Sequence, residues 1–489
     1  FRSPSPEKRS RAMATVRSFI SSIGKRRPGP ARPDPSSVST VRKDDITLGR
    51  KHANPRRFID QPPENLSVPE LRSVLSQLLS SARYHHALQI SKSLEAREGY
   101  RMSASDHALR VELTCKAGSL PEAEAYYDLI PDSASRKAAS LSLLRGYVKN
   151  REVEKAEALF KHLNKCGLAV SPHLFNELMK AYMSSSQCDR VLVLVDKMKR
   201  DRIPRNVMSY NIWIRASGRV DGVEGAERVY REMARDENVE VGWSSLVTLA
   251  NVYVDAGLRE KAVCVLREAE RKLSLGKRLG FFYVMTLYSS LGDKEGVLRM
   301  WEASKGVRGR ITCQDYMCVL SCLVKLGEVA EAERVFVEWE AGCRRYDVRV
   351  SNVMLGAYVR NGLMRKSELL HMRVMERGGR PNYKTWEIMM EGWVKCGKME
   401  KAVDAMRRAF SMLKDCEWRP SHDVLMLIAE HFEKQKKLDD AVEFLTDVHQ
   451  MGLASSPLYR ILLRMHLSAG KSAENVVKMM EKDGIVLHP

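Results

Sequence analysis

Residues 175–198 read FNELMKAYMSSSQCDRVLVLVDKM. Apolar side chains recur at Phe175, Leu178, Met179 and Tyr182, the spacing that gathers them on one face of a helix. The polar run Ser184-Ser185-Ser186-Gln187 breaks the pattern, and a second stripe follows at Val191, Leu194, Val195 and Met198. Residues 210–233 repeat the plan, with Tyr210 and Ile214, a break across Gly218–Gly222, then Ala226, Val229, Tyr230 and Met233. Each unit is predicted to be two short antiparallel helices. Neither helix can bury its stripe alone, so neighbouring units must stack.

Outward from this stretch, one small residue near the start of each second helix marks the register. The row is Ala87, Ala123, Ala156, Val191, Ala226, Ala262, Val297, Ala332, Ser367, Ala402 and Ala441, in steps of 33 to 39 residues. So steady a period predicts an all-α fold, an α-solenoid superhelix of about 11 helix–turn–helix repeats of ~35 residues. A small side chain allows the paired helices to approach closely. Gly118, Gly257, Gly292, Gly327, Gly362 and Gly397 each stand five residues earlier, where a left-handed residue must end the first helix. Pro204, Pro381 and Pro420 fall between units, where no helix continues. Ser67-x-x-Glu70, with Pro69 just inside, predicts a capped start to the array.

The 34-residue tetratricopeptide unit competes for this pattern, but its Trp-Leu-Gly-Tyr signature is missing from the first helices. Present instead are Phe175-Asn176, Tyr210-Asn211 and Ser351-Asn352, an Ala-x-x-hydrophobic-Phe/Tyr-x-x-Met second helix, and Ile203-Pro204-Arg205-Asn206 or Arg380-Pro381-Asn382 tails. Over residues 70–485 the chain resembles the P-class pentatricopeptide repeat (PPR) family of organellar RNA-binding proteins, and within it those associated with plant mitochondrial ribosomes.

Lys and Arg number 81 against 61 Asp and Glu, a formal charge of +20, as expected of a nucleic-acid binder. A merely soluble basic protein is the plainer alternative. Residues 1–43 hold 11 basic and two acidic residues, so +9 of the charge sits there. The segment is rich in Ser, Pro and Gly. From Met13 it resembles an organelle presequence, the alternatives being a basic tail or an untranslated extension. The division expected is a basic presequence-like or disordered arm at 1–44, a linker at 45–66, an N-terminal capping repeat at 67–105, the PPR array at 106–450 and C-terminal capping helices at 451–489. No apolar run reaches the length of a membrane span.

Little else suggests chemistry. The ten cysteines follow no ligand spacing, and Cys318 and Cys322 share a helix face as small hydrophobes would. His431-Phe432-Glu433 matches half of a zinc deaminase signature, but no cysteine follows Cys416. Gly470-Lys471-Ser472 lacks the earlier glycine of a phosphate loop, Met465 standing in its place. His85 and His86 read as polar residues on a helix face. No appended enzyme is expected after the last helices. A non-enzyme is expected, with no catalytic residue, cofactor, metal, small-molecule substrate or membrane partner.

The resemblance implies a base-selecting residue fifteen positions before each small residue, with a partner thirty positions after the selector. The selector row is Arg72, Ala108, Leu141, Asn176, Asn211, Val247, Phe282, Met317, Asn352, Glu387 and Met426. Only Asn176, Asn211 and Asn352 fit, and their partners are Asn206, Val241 and Asn382. Asn176, Asn206, Asn211, Asn352 and Asn382 are the base-contact candidates. The alternative is that these amides satisfy nearby backbone groups between helices.

A second row stands seven residues before each small residue. Lys116, Lys149, Arg219, Lys325, Arg360, Lys395 and Lys434 make seven of its eleven members basic, where composition alone gives about two. In the family a lysine here contacts phosphate, although a helix dipole also favours a cation at this end. The expectation is therefore a protein that holds RNA by its backbone, a structural component of the plant mitochondrial ribosome with ribosomal RNA and ribosomal proteins as partners. Mitochondrion is favoured over chloroplast. Two alternatives remain, a free sequence-specific factor for organellar transcripts and a protein-only scaffold.

Overall fold

The structure is a computed structural model and describes residues 67–168, 171–412 and 419–485. The presequence-like arm and the linker to residue 66 lie outside them. Among the described residues there are 24 helices and no strands, from Val68–Ser80 to Glu474–Lys482. They pair into twelve hairpins. The twelfth, Ser456–Ser468 with Glu474–Lys482, follows the last member of the small-residue row. None of these helices is long and apolar enough to cross a membrane.

The described residues fall into two units, one ending at Ser274 and one beginning at Leu275. In the first, Pro172–Ser184 packs on Val207–Val220, which packs on Trp243–Asp255. In the second, Cys313–Lys325, Val348–Arg360 and Tyr383–Lys395 stack in the same order. Within each unit the first helices thus form an inner layer, and second helices flank it. Burial follows this arrangement. Eight residues of Pro172–Ser184 are buried against five in its partner Cys188–Arg200.

The small-residue row lies at the helix crossings. Ten of its members have no exposed surface, and the eleventh, Ala441, is 5% exposed. The predicted glycines all carry positive φ, 80° at Gly327 for example. The first helix of the array begins as the sequence suggests, with the Glu70 carboxylate accepting from the Ser67 backbone N–H at 2.9 Å. Side-chain caps then recur twenty residues before the small residue, at Ser103, Ser171, Asn206, Thr312, Asp347, Asn382 and Ser421.

Four hairpins turn on a non-glycine residue in the same left-handed place, Ala82, Arg151, Ser186 and Lys436, with φ between 56° and 62°. An L side chain there costs about 1 kcal/mol, partly offset by the extra freedom glycine has when unfolded. Combining Arg151→Gly, Ser186→Gly and Lys436→Gly is therefore expected to raise stability by about 1–2 kcal/mol in urea melts. No gain would mean that these side chains hold their turns in some other way.

Candidate nucleic-acid interface

The base-contact candidates sit on the inner layer, and the structure brings two pairs together in one geometry. Asn176 Nδ2 donates to Asn206 Oδ1 at 3.1 Å, and Ser209 Oγ donates to Asn176 Oδ1 at 2.8 Å. The Ser209 backbone N–H also donates to Asn206 Oδ1, at 3.0 Å. Five repeats later, Asn352 Nδ2 donates to Asn382 Oδ1 at 3.1 Å, Thr385 Oγ1 to Asn352 Oδ1 at 2.9 Å, and the Thr385 N–H to Asn382 Oδ1 at 3.0 Å. Asn176 and Asn352 are buried, 3% and 8% exposed. The partner position is thus the N-cap of the next first helix. The two amides of a pair are held by one another and by a hydroxyl that sequence reasoning missed. Asn-x-x-Ser and Asn-x-x-Thr are capping patterns, so Ser209 and Thr385 could have been found.

Asn211 differs. Val241 stands where its amide partner would be, and only a long 3.4 Å bond from Nδ2 to Ser244 Oγ remains. Its Oδ1 is buried with no hydrogen-bond partner among the described residues. An acceptor left so costs about 1–3 kcal/mol, which a donor arriving from outside would recover.

Every cation of the second row sits in the last turn of its first helix, where the helix dipole favours it. Three are engaged. Lys116 pairs with Glu112 at 2.6 Å and lies 4.6 Å from the centre of the Tyr84 ring. Lys325 Nζ donates to Ser290 Oγ, the same position one repeat earlier, at 2.9 Å. Arg360 folds back over Gly356; desolvation lowers its pKa from the usual value, and Glu391 opposes the shift. Lys149, Arg219, Lys395 and Lys434 are exposed and make no ion pair among the described residues.

Acidic groups are drawn off elsewhere, into a ladder between successive repeats. A glutamate one residue after the small residue accepts from an aromatic of the next first helix and pairs with a cation of the next second helix. Glu227 takes Tyr253 Oη and Lys261 Nζ, both at 2.9 Å. Glu333 takes Tyr358 Oη at 2.9 Å and Lys366 at 2.8 Å. Glu368 takes Trp393 Nε1 at 2.8 Å and Lys401 at 3.3 Å. Glu157 pairs with Arg190 at 2.8 Å, and Arg190 lies over Tyr182. The pKa of Glu227 is lowered by Lys261 and then Tyr253, and that of Glu368 by Trp393; at Glu333 burial is the largest single influence and raises the pKa, but Lys366 and Tyr358 together outweigh it and the pKa is lowered.

A depressed carboxyl contributes stability above its unfolded pKa, here 4.5, and loses it as pH falls through the folded value. The melting temperature should therefore hold above pH 5.5 or so and drop below about 4.5. The triple variant E227Q/E333Q/E368Q should start lower and show a shallower acid limb. Parallel limbs for the two proteins would refute the ladder's part in acid sensitivity.

A pentatricopeptide repeat domain matches residues 158–220, and PPR repeats match 141–168, 208–237, 315–341, 350–379 and 384–412. Pentatricopeptide repeat-containing protein At5g27460 of Arabidopsis thaliana is 54% identical over 422 residues, 86% of either chain. The large ribosomal subunit protein mL101 (rPPR4) of the same plant is 31% identical over 420 residues, 85% of either chain. At2g20710, a mitochondrial member of the same plant's set, is 29% identical over 440 residues, 89% of either chain. Maize PPR10 superposes with a TM-score of 0.49 at 20% identity, covering 86% of this chain and 64% of the maize protein. The chain belongs to the pentatricopeptide repeat family.

Proposed function

We propose that this protein is an RNA-binding PPR solenoid and a structural component of the plant mitochondrial ribosome. It would grip ribosomal RNA mainly by the backbone and meet ribosomal proteins along its length. The observation that carries the reading is the contrast between the two rows. Four of the seven cations at the ends of the first helices keep exposed charge with no ion pair among the described residues, whereas two of the three surviving base-selecting amides, Asn176 and Asn352, are closed on their partners. Phosphate contacts supply affinity and position without sequence information. The likeness to mL101 supports the ribosomal setting. Mitochondrial names among the relatives support that compartment over the chloroplast.

The test is sedimentation of the tagged protein from lysed plant mitochondria at moderate salt. Migration with one ribosomal subunit is expected, and ribonuclease should release it. A protein that stays at the top of the gradient, away from both subunits, would refute the ribosomal reading. Asn211, with its unspent acceptor, favours a second reading as a free sequence-specific factor. That reading requires binding to one messenger segment that changes when the bases facing Asn176, Asn211 and Asn352 are changed.

A further inference from the structure

The other end of the first helices carries a different concentration of charge. Three successive inter-repeat loops, 306–312, 343–347 and 377–382, contain six arginines and one acidic residue, Asp347. The corresponding loop at 236–242 has the opposite character, with Asp236, Glu237 and Glu240 and no cation. Arg308, Arg310, Arg344, Arg345 and Arg380 are exposed and make no ion pair among the described residues. Asp347 is already taken by Arg349, at 2.6 Å.

Four of these arginines, all but Arg308, line two open clefts of about 520 and 750 Å³ that share Arg345 and Cys313 and so form one trough. Arg310 and Arg344 border the first, Arg349 and Arg380 the second. The loops are held in place. The Arg278 guanidinium donates to the carbonyls of Ser304, Val307, Gly309 and Arg310, which fixes 306–312 while leaving that loop's own arginines outward. The Arg377 guanidinium and the Cys343 thiol both reach the Glu340 carbonyl, and the Gly379 N–H donates to Val374 O at 2.8 Å. The helices Cys313–Lys325, Val348–Arg360 and Tyr383–Lys395 begin at this edge, so their dipoles add to the attraction for anions.

We infer that this arginine-lined edge is a second backbone-binding surface, one that takes the phosphates of a folded RNA segment. The inference rests on the RNA-binding reading above but names a place that reading does not use. A first helix of 13 residues separates the edge from the cation row by about 18 Å, so the two are distinct lines of contact. Guanidinium groups on fixed loops suit bidentate phosphate contacts. The only side-chain amide in these loops, Asn382, is engaged with Asn352.

The experiment uses an RNA duplex of about 16 base pairs, whose bases are unavailable to the inner-layer amides. Binding is followed by anisotropy across a salt series. R310Q/R344Q/R345Q is expected to reduce the salt slope by about 2–3 and to weaken duplex binding at least a hundredfold or so at 0.1 M salt. The control K165Q/R235Q/K482Q removes the same charge at other exposed positions and should lose far less. If the two variants lose equally, the edge is not a site, while RNA binding by the protein stands. If the unaltered protein binds neither the duplex nor a single strand, RNA binding itself is refuted and the edge with it. Circular dichroism melts should match across all three proteins, because these side chains make no ion pair.

Discussion

Neutralising Lys149, Arg219, Lys395 and Lys434 together is expected to weaken single-stranded RNA binding several hundredfold at 0.1 M salt. The probe is an RNA of about 20 nucleotides, long enough for one base per repeat. These four are the members of the row with exposed charge and no ion pair. On a single strand each neutralised phosphate contributes about 0.7 to the salt slope, so four contribute about 2.8. At 0.1 M salt that slope corresponds to roughly a 600-fold change in affinity. The loss should be uniform across sequences, because phosphate contacts carry no base information. Altering Lys116, Lys325 and Arg360 should have a smaller effect, since each already has a partner or is folded back. A loss confined to one RNA sequence would return the protein to the sequence-specific class. No loss at all would leave the row to its helix dipoles.

Trp301→Ala is expected to destabilise the unit beginning at Leu275 by about 3–5 kcal/mol. Trp301 is 1% exposed, its ring meets Tyr316 edge-on at 5.2 Å, and Lys305 lies 5.3 Å from its centre. Removal leaves a cavity where two repeats meet, and a helical hairpin has few other contacts with which to close it. For a unit of about 200 residues this is a fall of roughly 8–15 °C in melting temperature. In a stack whose members touch only their neighbours, the damage should stay local. Calorimetry should show one transition moved down and separated from another near its original position. A single transition displaced by under a degree or so would contradict this placement of Trp301.

The repeat register was legible because packing at the helix crossings admits only small side chains, so one row of residues marks the first eleven hairpins. The left-handed turn was legible only where glycine fills it. Arg151, Ser186 and Lys436 occupy the same conformation without the residue that advertises it, because the surrounding hairpin imposes the geometry. Gly222 has positive φ where the register points to Asp221, because its hairpin turns one residue late. The Asn pairs were legible as pairs only through the thirty-residue offset that the family resemblance implies. That each closes through Ser209 or Thr385 was not, since a hydroxyl on the third residue of a helix first reads as a local cap. The glutamate ladder has its own period, but a tally of net charge hides it. The arginine edge was not legible because it is assembled from three loops that lie a repeat apart in the chain and meet only once the hairpins stack.

The one-neighbour construction has a mechanical corollary. Load applied at the termini passes through the hairpins in series, so the weakest junction yields while the rest keep their shape. Each release frees about 35 residues, or roughly 110 Å of chain. A molecule of this kind lengthens in steps under tension instead of giving way all at once.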